Sequence, residues 1–413
     1  MQTALDTRRP TILIVDDEPV NLHLFSGIFK NEYRVLTASL GQECLDIVAL
    51  DKPDIILLDV MMPDMDGFEV CSRLKSSERT RDIPIMFVTA LGDEDSETKG
   101  LKVGAVDYIT KPISVPVVRT RVTNQIIVKL QKELIANKQA KLVEDLKAAG
   151  AIQQSLLPYK LPADPRSEFA WKFMPCEELG GDILNVVPLG NGLVGMYMAD
   201  VSGHGPPSAM ISFLIYQMMN PYFGILIDTS GTENVVRQPE DVLNVLDKEF
   251  PLNRFGKHFT IIYMVVDLAT GILTYSNAGH CAPILLRPDG TMERLEESGT
   301  VIGIGAFPFG QARVELRQGD RLLLFSDGVF EADNIHEELF GEQRLLEAVR
   351  ALAASSLPNM VDNLYSAVMN FAEGAPLRDD LSMLAFAYHA SEKEDPPRAE
   401  VSVGTLRLSI RRG

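Results

Sequence analysis

Cysteine is scarce and scattered. Cys44, Cys71, Cys176 and Cys281 form no CxxC or CxxH grouping, which excludes a disulfide framework and a zinc knuckle and reads as a reduced, cytosolic set. Basic residues are outnumbered, 39 Lys and Arg against 57 Asp and Glu, and the net charge of −18 repels phosphate backbones and anionic lipid headgroups. No nucleic-acid or membrane partner is expected. Long apolar runs are missing too: the longest, from Met210 to Ile227, is broken by Ser212, Gln217, Asn220, Pro221 and Gly224, whereas a spanning helix needs about 20 largely uninterrupted apolar residues. The opening MQTALDTRRP has basic residues without an apolar leader after them, so no export signal is read and a cytoplasmic location is expected. Tryptophan occurs once, yet 46% hydrophobic and 23% charged residues lie near globular averages, so real cores can form. At 413 residues the chain exceeds what one core usually serves, which points to two or three domains.

From Thr11 to about Val128, short β-type runs (ILIV, IILLDV, IPIMFVTA, DYIT) alternate with stretches of helical period, the pattern of a doubly wound α/β domain. From about Val118 to Leu157 runs a long helix former, with Ile127, Leu130 and Leu134, then Leu142, Leu146 and Ala149, spaced by threes and fours. Asn137 and Lys141 interrupt the first register, so two paired helices would shift phase near the middle of a weak coiled-coil linker. Pro158, Pro162 and Pro165 close it. Beyond these prolines the chain is dominated by strand-like runs (GLVGMYMADV, FTIIYMVVDL, APILLR, RLLLFSDGVF, SMLAFAYH), with helices fitting only Pro206 to Met219, Asp241 to Phe250, Gly341 to Ala353 and Met360 to Phe371. This region reads as α+β, with sheets packed inside helices. A polar stretch, SEKEDPPRAE, leads to alternating Val401, Val403, Leu406, Leu408 and Ile410, one more strand. The expected partition is an extension over 1–10, a first domain over 11–125, a helical linker over 126–157, a second domain over 158–389 and a tail over 390–413.

Functional groups of a doubly wound sheet gather at the carboxyl ends of its strands. Asp16 and Asp17, Asp59, Thr89 and Lys111 all stand at such ends. Three carboxylates packed together need a cation, and oxygen-only ligands point to Mg²⁺. Lysine and threonine can then bind the oxygens of an anion added to one carboxylate, the chemistry of an aspartyl phosphate in which Asp59 attacks and Lys111 pairs with the product. Any one acidic pair is more simply a solvated strand end; four stations in order are not. VDDEP, LLDVMMPDMDG, FVTA and YITKP resemble the stations of response-regulator receiver domains over Thr11 to roughly Gln125. The resemblance implies a five-stranded parallel sheet, with Asp59 as phospho-acceptor and Asp17 as a direct Mg²⁺ ligand beside Asp16. It further implies a Met61 backbone carbonyl on the metal, and Thr89 with Tyr108 as the conformational switch. A sensor histidine kinase or phosphotransfer protein would be the phosphodonor.

Asp182 in ELGGDILN, Asp200 in MADVSGHG, Asp327 in LFSDGVFEA, and Asp379 with Asp380 in LRDDLSML each flank an apolar run. Singly, such acids are usually turn residues. Converging, they would repel unless metals bound them, and two hard cations, Mg²⁺ or Mn²⁺, could activate a bridging water for in-line attack on a phosphate ester. IQQSLLP, ELGGD, ADVSGHG, SNAGHCAPILL, QGDRLLLFSDGVFEA, FGEQRLL and RDDLSML resemble the bacterial branch of metal-dependent (PPM-type) Ser/Thr protein phosphatases typified by SpoIIE and RsbU, from about Ala151 to His389. This implies a β-sandwich flanked by helices and four catalytic acids, Asp182, Asp200, Asp327 and Asp379. Asp200 and the Val201 carbonyl would hold the metal pair, Asp327 would bridge from the opposite sheet, and Asp379 would complete a metal shell, with Asp380 as its runner-up. Asp182 would orient metal-bound water or stand one layer behind it. Leu184 and Asn185 depart from the aromatic and final aspartate usual in the family. His204 and His280 lie inside matched motifs, each as a general acid or as a loop-packing residue.

The order receiver, linker, phosphatase implies control: phosphorylation of Asp59 changes the Thr89 and Tyr108 face, receivers pair, and the linker helices of a homodimer change register. Residue chemistry alone reaches only a phosphate monoester. The phosphatase resemblance implies a phosphoserine or phosphothreonine on a STAS-type anti-sigma-factor antagonist in a partner-switching pathway. TLRLSI resembles the opening strand of anti-sigma-factor kinases of the GHKL ATPase type, as in an HsbR-like regulator cut after its second domain; an ordinary tail is the other reading. The competing class is a catalytically weak or inactive phosphatase-like adaptor that binds a sigma-factor regulator. Asp200, Asp327 and Asp379 argue against it, while Leu184 and Asn185 keep it open.

Overall fold

The computed structural model describes residues 9–90, 102–231, 234–305 and 307–390. Most of the 1–10 extension and the strand expected between 401 and 410 lie outside the described residues. The chain divides into two compact units, Met1–Leu142 and Val143–Gly413.

The first unit runs β1 (Thr11–Val15), α1 (Pro19–Phe29), β2 (Arg34–Ala38), α2 (Gly41–Leu50), β3 (Ile55–Asp59), α3 (Gly67–Ser76), β4 (Ile85–Ala90) and β5 (Asp107–Lys111). Its sheet is parallel throughout, in the order β2-β1-β3-β4-β5. Leu13, Val15, Ile56 and Leu58 enter one core, and Ile12, Ile14, Ile55 and Leu57 the opposite one. Both faces are covered, which is why these strands read as continuous apolar runs. Helix α4 (Val115–Gln154) then continues for 40 residues. Its first turns bury Val118, Val122 and Ile126 in the core of the first unit, and the helix begins three residues before the expected start at about Val118. Between Pro116 and Gly150 no glycine or proline interrupts it.

The second unit continues with β6 (Ser167–Met174), β7 (Ile183–Gly190), β8 (Leu193–Val201), α5 (Pro206–Met218), β9 (Ile227–Asp228), β10 (Val235–Val236), α6 (Pro239–Glu249) and α7 (Leu252–Phe255). It ends with β11 (Phe259–Asp267), β12 (Ile272–Ala278), β13 (Ile284–Leu286), β14 (Met292–Arg294), β15 (Ala312–Glu315), β16 (Arg321–Phe325), α8 (Gly341–Ala351), α9 (Leu357–Ala372) and β17 (Leu381–Tyr388). Two antiparallel five-stranded sheets form, β15-β12-β11-β8-β7 and β14-β13-β16-β17-β6. Strand β17 shows how they stack. Leu384, Phe386 and Tyr388 join a core shared by strands of both sheets, while Leu381, Met383, Ala385 and Ala387 face Leu345, Val349, Met360 and Leu364 of α8 and α9. Ile211 and Ile215 of α5, with Val242, Leu243 and Leu246 of α6, pack into the shared core, completing a sandwich flanked by helices. Helices α6 and α9 start two and three residues before the expected Asp241 and Met360, because proline occupies the first turn, where a missing N–H costs no hydrogen bond. No helix among the described residues is long and apolar enough to cross a membrane.

Candidate functional site

In the first unit, carboxylate oxygens of Asp16, Asp17 and Asp59 lie within 4.8 Å of one another at the carboxyl ends of β1 and β3. Asp16 is buried and accepts hydrogen bonds from the Glu18 amide (2.9 Å) and the Asn21 side chain (2.9 Å), which fix its orientation; Asp17 is exposed. Lys111 Nζ reaches Asp59 Oδ2 at 3.1 Å and Asp16 Oδ2 at 3.3 Å from the end of β5. Burial raises the Asp59 pKa, the Lys111 hydrogen bond opposes that, and Asp16 raises it further. Burial pulls the Lys111 pKa down, but Asp59 and Asp16 together leave it raised. Thr89 is buried on β4, and Tyr108 on neighbouring β5 lies opposite Phe87, with the Arg121 guanidinium 5.8 Å from its ring. The Met61 side chain is 78% exposed in the loop after β3. Sequence reasoning missed Asn21 and Gly67. A Cβ on Gly67 would stand 2.3 Å from the Asp59 carbonyl oxygen; the only signal for it was its place at the end of LLDVMMPDMDG.

In the second unit, Asp200 ends β8, Asp327 opens a short 3₁₀ turn after β16, Asp182 precedes β7, and Asp379 precedes β17. The two sheets thus bring acids almost 200 residues apart to one end of the sandwich. Burial raises Asp200 to about 7, with repulsion from Asp327, Asp379, Asp380 and Glu331 adding to it. Asp327 rises to about 6 through burial, then Asp379 and Glu331. Asp182, 1% exposed, is pushed well above the usual carboxylate range by burial, then Asp200 and Asp380, while Ser382 Oγ donates to its Oδ2 at 2.5 Å. Burial also raises Asp379, opposed by the Asp380 amide. This all-oxygen set of mutually repelling carboxylates fits hard divalent cations.

Asp380, expected as runner-up to Asp379, has a ligand atom within 4.8 Å of those of Asp379 and Cys176, and it also holds backbone. Its carboxylate accepts from the backbone N–H groups of Cys176 (2.9 Å), Gly181 (2.5 Å) and Asp182 (3.1 Å), so it holds the GGD loop in place. Ser212 on α5 donates to the Gly181 carbonyl. Ser326 Oγ donates to the Asp380 carbonyl and accepts the Ser382 amide, both at 3.0 Å. The Val201 side chain is buried, and its carbonyl oxygen would lie 2.7 Å from a Cβ on Gly181. Leu184 is core, and Asn185 Nδ2 donates to the Leu156 carbonyl at 3.2 Å, so this departing pair is spent on packing and on the chain leaving α4. His204 Nδ1 lies 3.0 Å from Glu177 Oε2. His280 is buried, its Nδ1 2.8 Å from Thr260 Oγ1, and burial lowers its pKa to about 4. Ser326, Ser382, Ser212 and Glu331 carried no sequence signal beyond lying in or near the quoted motifs.

A doubly wound unit with a carboxylate pocket and a lysine is thus followed in the chain by a two-sheet unit with a buried acidic centre. Residues 12–123 match the response regulator receiver domain family, and residues 190–389 match the Stage II sporulation protein E (SpoIIE) family. The chain therefore joins a response-regulator receiver domain to a SpoIIE-type phosphatase domain. The SiaA-PP2C domain of Pseudomonas aeruginosa superposes with a TM-score of 0.51 at 22% identity, covering 61% of this chain and 99% of that one, which shows a shared fold. A probable cyclic di-GMP phosphodiesterase of Vibrio cholerae is 36% identical over 150 residues, 36% of this chain and 34% of that protein. Response regulator PleD of Caulobacter vibrioides is 50% identical over 103 residues, 25% of this chain and 23% of that protein. The chain spans about a third or less of the length of these two relatives.

Proposed function

We propose that this protein is a response regulator whose receiver, phosphorylated on Asp59 by a sensor histidine kinase or phosphotransfer protein, controls a metal-dependent serine/threonine phosphatase in the same chain. The observation that carries this reading is the convergence of Asp182, Asp200, Asp327 and Asp379, in which burial and mutual repulsion raise Asp200 to about 7 and Asp327 to about 6. Asp200, the Val201 carbonyl, Asp327 and Asp379 would hold two Mn²⁺ or Mg²⁺ ions, and Asp16, Asp17, Asp59 and the Met61 carbonyl one Mg²⁺ in the receiver. When bound, such cations supply Lewis-acid activation of water and neutralise phosphate charge.

In the receiver, a carboxylate oxygen of Asp59 forms a bond to phosphorus as the donor's bond breaks, and Lys111 pairs with the added charge. Thr89 and Tyr108 then change setting. In the phosphatase, Asp182, oriented by Ser382, stands behind the acids and fixes the attacking water's direction. The substrate is a phosphoserine or phosphothreonine on a STAS-type anti-sigma-factor antagonist, and two chains pair through receiver and linker. The partition at 11–125, 126–157 and 158–389 and a cytoplasmic location belong to the same reading.

Hydrolysis of p-nitrophenyl phosphate, measured with Mn²⁺, with Mg²⁺ and with chelator, tests it. Asp200→Asn and Asp327→Asn are each expected to lower metal-dependent turnover by at least about 100-fold. Turnover that survives chelation and both substitutions would sink the phosphatase assignment. No turnover under any condition, from a folded chain, would favour the non-enzymatic adaptor. Receiver control fails if Asp59→Ala leaves activity and its response to an acyl-phosphate mimic unchanged.

A further inference from the structure

The end of α4 touches the acidic centre's scaffold through the Gln153 side chain. Gln153 is 7% exposed, and its amide grips a single residue from both sides: Nε2 donates to the Gly180 carbonyl at 2.8 Å, and Oε1 accepts the Gly180 N–H at 3.1 Å. The Gly180 carbonyl and the Gly181 N–H belong to one planar peptide unit, and that N–H donates to Asp380 Oδ2 at 2.5 Å. Gln153 and Asp380 therefore hold opposite edges of the same plate. Turning one edge turns the other. The next peptide is gripped likewise, with Ser212 on the Gly181 carbonyl and Asp380 on the Asp182 N–H.

Close approach makes this contact exacting. A Cβ on Gly150, one turn earlier on α4, would stand 2.2 Å from the Glu178 carbonyl oxygen, and a Cβ on Gly180 would stand 2.4 Å from Asp380 Oδ2. Nearby, α4 borders an open apolar groove of about 470 Å³, lined by Ile152, Leu156, Met210 and Phe213.

We propose that Gln153 is a positioning residue of the phosphatase centre, acting through the Gly180–Gly181 peptide on Asp182, so that the rotational setting of the linker helix is read by the metal site. This inference rests on the phosphatase reading above and names the contact through which the linker would act. A rotation that withdraws the amide leaves the buried Gly180 carbonyl and N–H unpaired and frees the loop that carries Asp182.

The test uses the full chain and two readouts: Mn²⁺ affinity by titration calorimetry, and the change in p-nitrophenyl phosphate turnover when the receiver is loaded with beryllofluoride. Gln153→Ala and Gln153→Glu are expected to weaken Mn²⁺ binding by about 10-fold or more, the range for residues that orient metal ligands. Both are expected to lose the beryllofluoride response. Gln154→Ala, an exposed glutamine next along the helix, is expected to match the parent in both. If Gln153→Ala fails to fold, Gln153→Glu decides, since it keeps the side chain's size and its acceptor for the Gly180 N–H. A folded Gln153 variant with the parent's Mn²⁺ affinity and beryllofluoride response overturns the inference, as does an equal loss in Gln154→Ala. A parent chain that neither binds Mn²⁺ nor turns over substrate rejects the phosphatase reading itself, a result distinct from either.

Discussion

Two adjacent aspartates illustrate how hydrogen bonds divide one residue type between tasks. Asp380 has its carboxylate committed to three backbone N–H groups, whereas Asp379 accepts only from the Asp380 amide among the described residues and keeps oxygen lone pairs for a cation. RDDLSML does not distinguish them, because the partners of Asp380 lie about 200 residues away in the chain. Asp59 and Lys111 are different: strand ends and motif order placed them, and the structure has them 3.1 Å apart. At this scale the sharpest prediction concerns Gly181. A Cβ there would stand 2.7 Å from the Val201 carbonyl oxygen and 3.0 Å from that of Gly203, so Gly181→Ala must displace the loop after β8. Steady-state kinetics should show turnover lowered by about 10-fold or more with weaker Mn²⁺ binding. Parental kinetics from the alanine variant would contradict the close approach.

Among the elements, α4 departs most from a conventional globular helix. Ile127, Val128, Leu134, Ile135, Leu142 and Val143 are 42–58% exposed along it, and Val128, Ile135, Leu142 and Ala149 recur every seven residues. A heptad-spaced apolar row is what a second helix covers. Leu130, which the periodicity grouped with Ile127 and Leu134, is partly buried against the receiver core instead. Periodicity sees spacing and not which neighbour fills it, so the helix was legible and its division of labour was not. In sedimentation equilibrium, the parent is expected to populate dimers and an Ile135→Asp, Leu142→Asp chain to remain monomeric, with receiver phosphorylation intact. A parent that stays monomeric at every concentration, with or without beryllofluoride, removes the pairing.

Taken whole, the molecule carries a charge conflict that couples pH to stability. Asp182, Asp200 and Asp327 all have raised folded pKa values, so the folded chain binds more protons than the unfolded chain from the ordinary carboxylate range up to about 7. Stability from these groups is fully present below that range and is lost as pH rises through it. His280 runs the other way, its folded pKa being lowered to about 4. Comparison with a variant isolates the acids. In chelator, an Asp200→Asn, Asp327→Asn chain is expected to melt above the parent at about pH 7.5, with the gap closing near pH 5. Added Mn²⁺ should reverse the order at the higher pH by raising the parent's Tm more than the variant's, since the receiver site is common to both. A gap that does not vary with pH would mean the two carboxylates do not repel as described.

Local patterning carried much of this protein's organisation. Continuous apolar runs ending in acids specify a parallel sheet covered on both faces, the unbroken apolar run in SMLAFAYH specifies a strand between two cores, and short motifs place Asp59, Lys111, Asp200 and Asp327 at element ends. Each is a relation among near neighbours, which side-chain period and strand termini express directly. Partners far apart in the chain are another matter. The hold of Asp380 on the GGD loop, the grip of Gln153 on Gly180 and the Ser382 bond to Asp182 span 27 to 200 residues and depend on two sheets and a helix end meeting within 3 Å or so. Hydrogen bonds require that precision in distance and direction, and only packing of the complete domain supplies it.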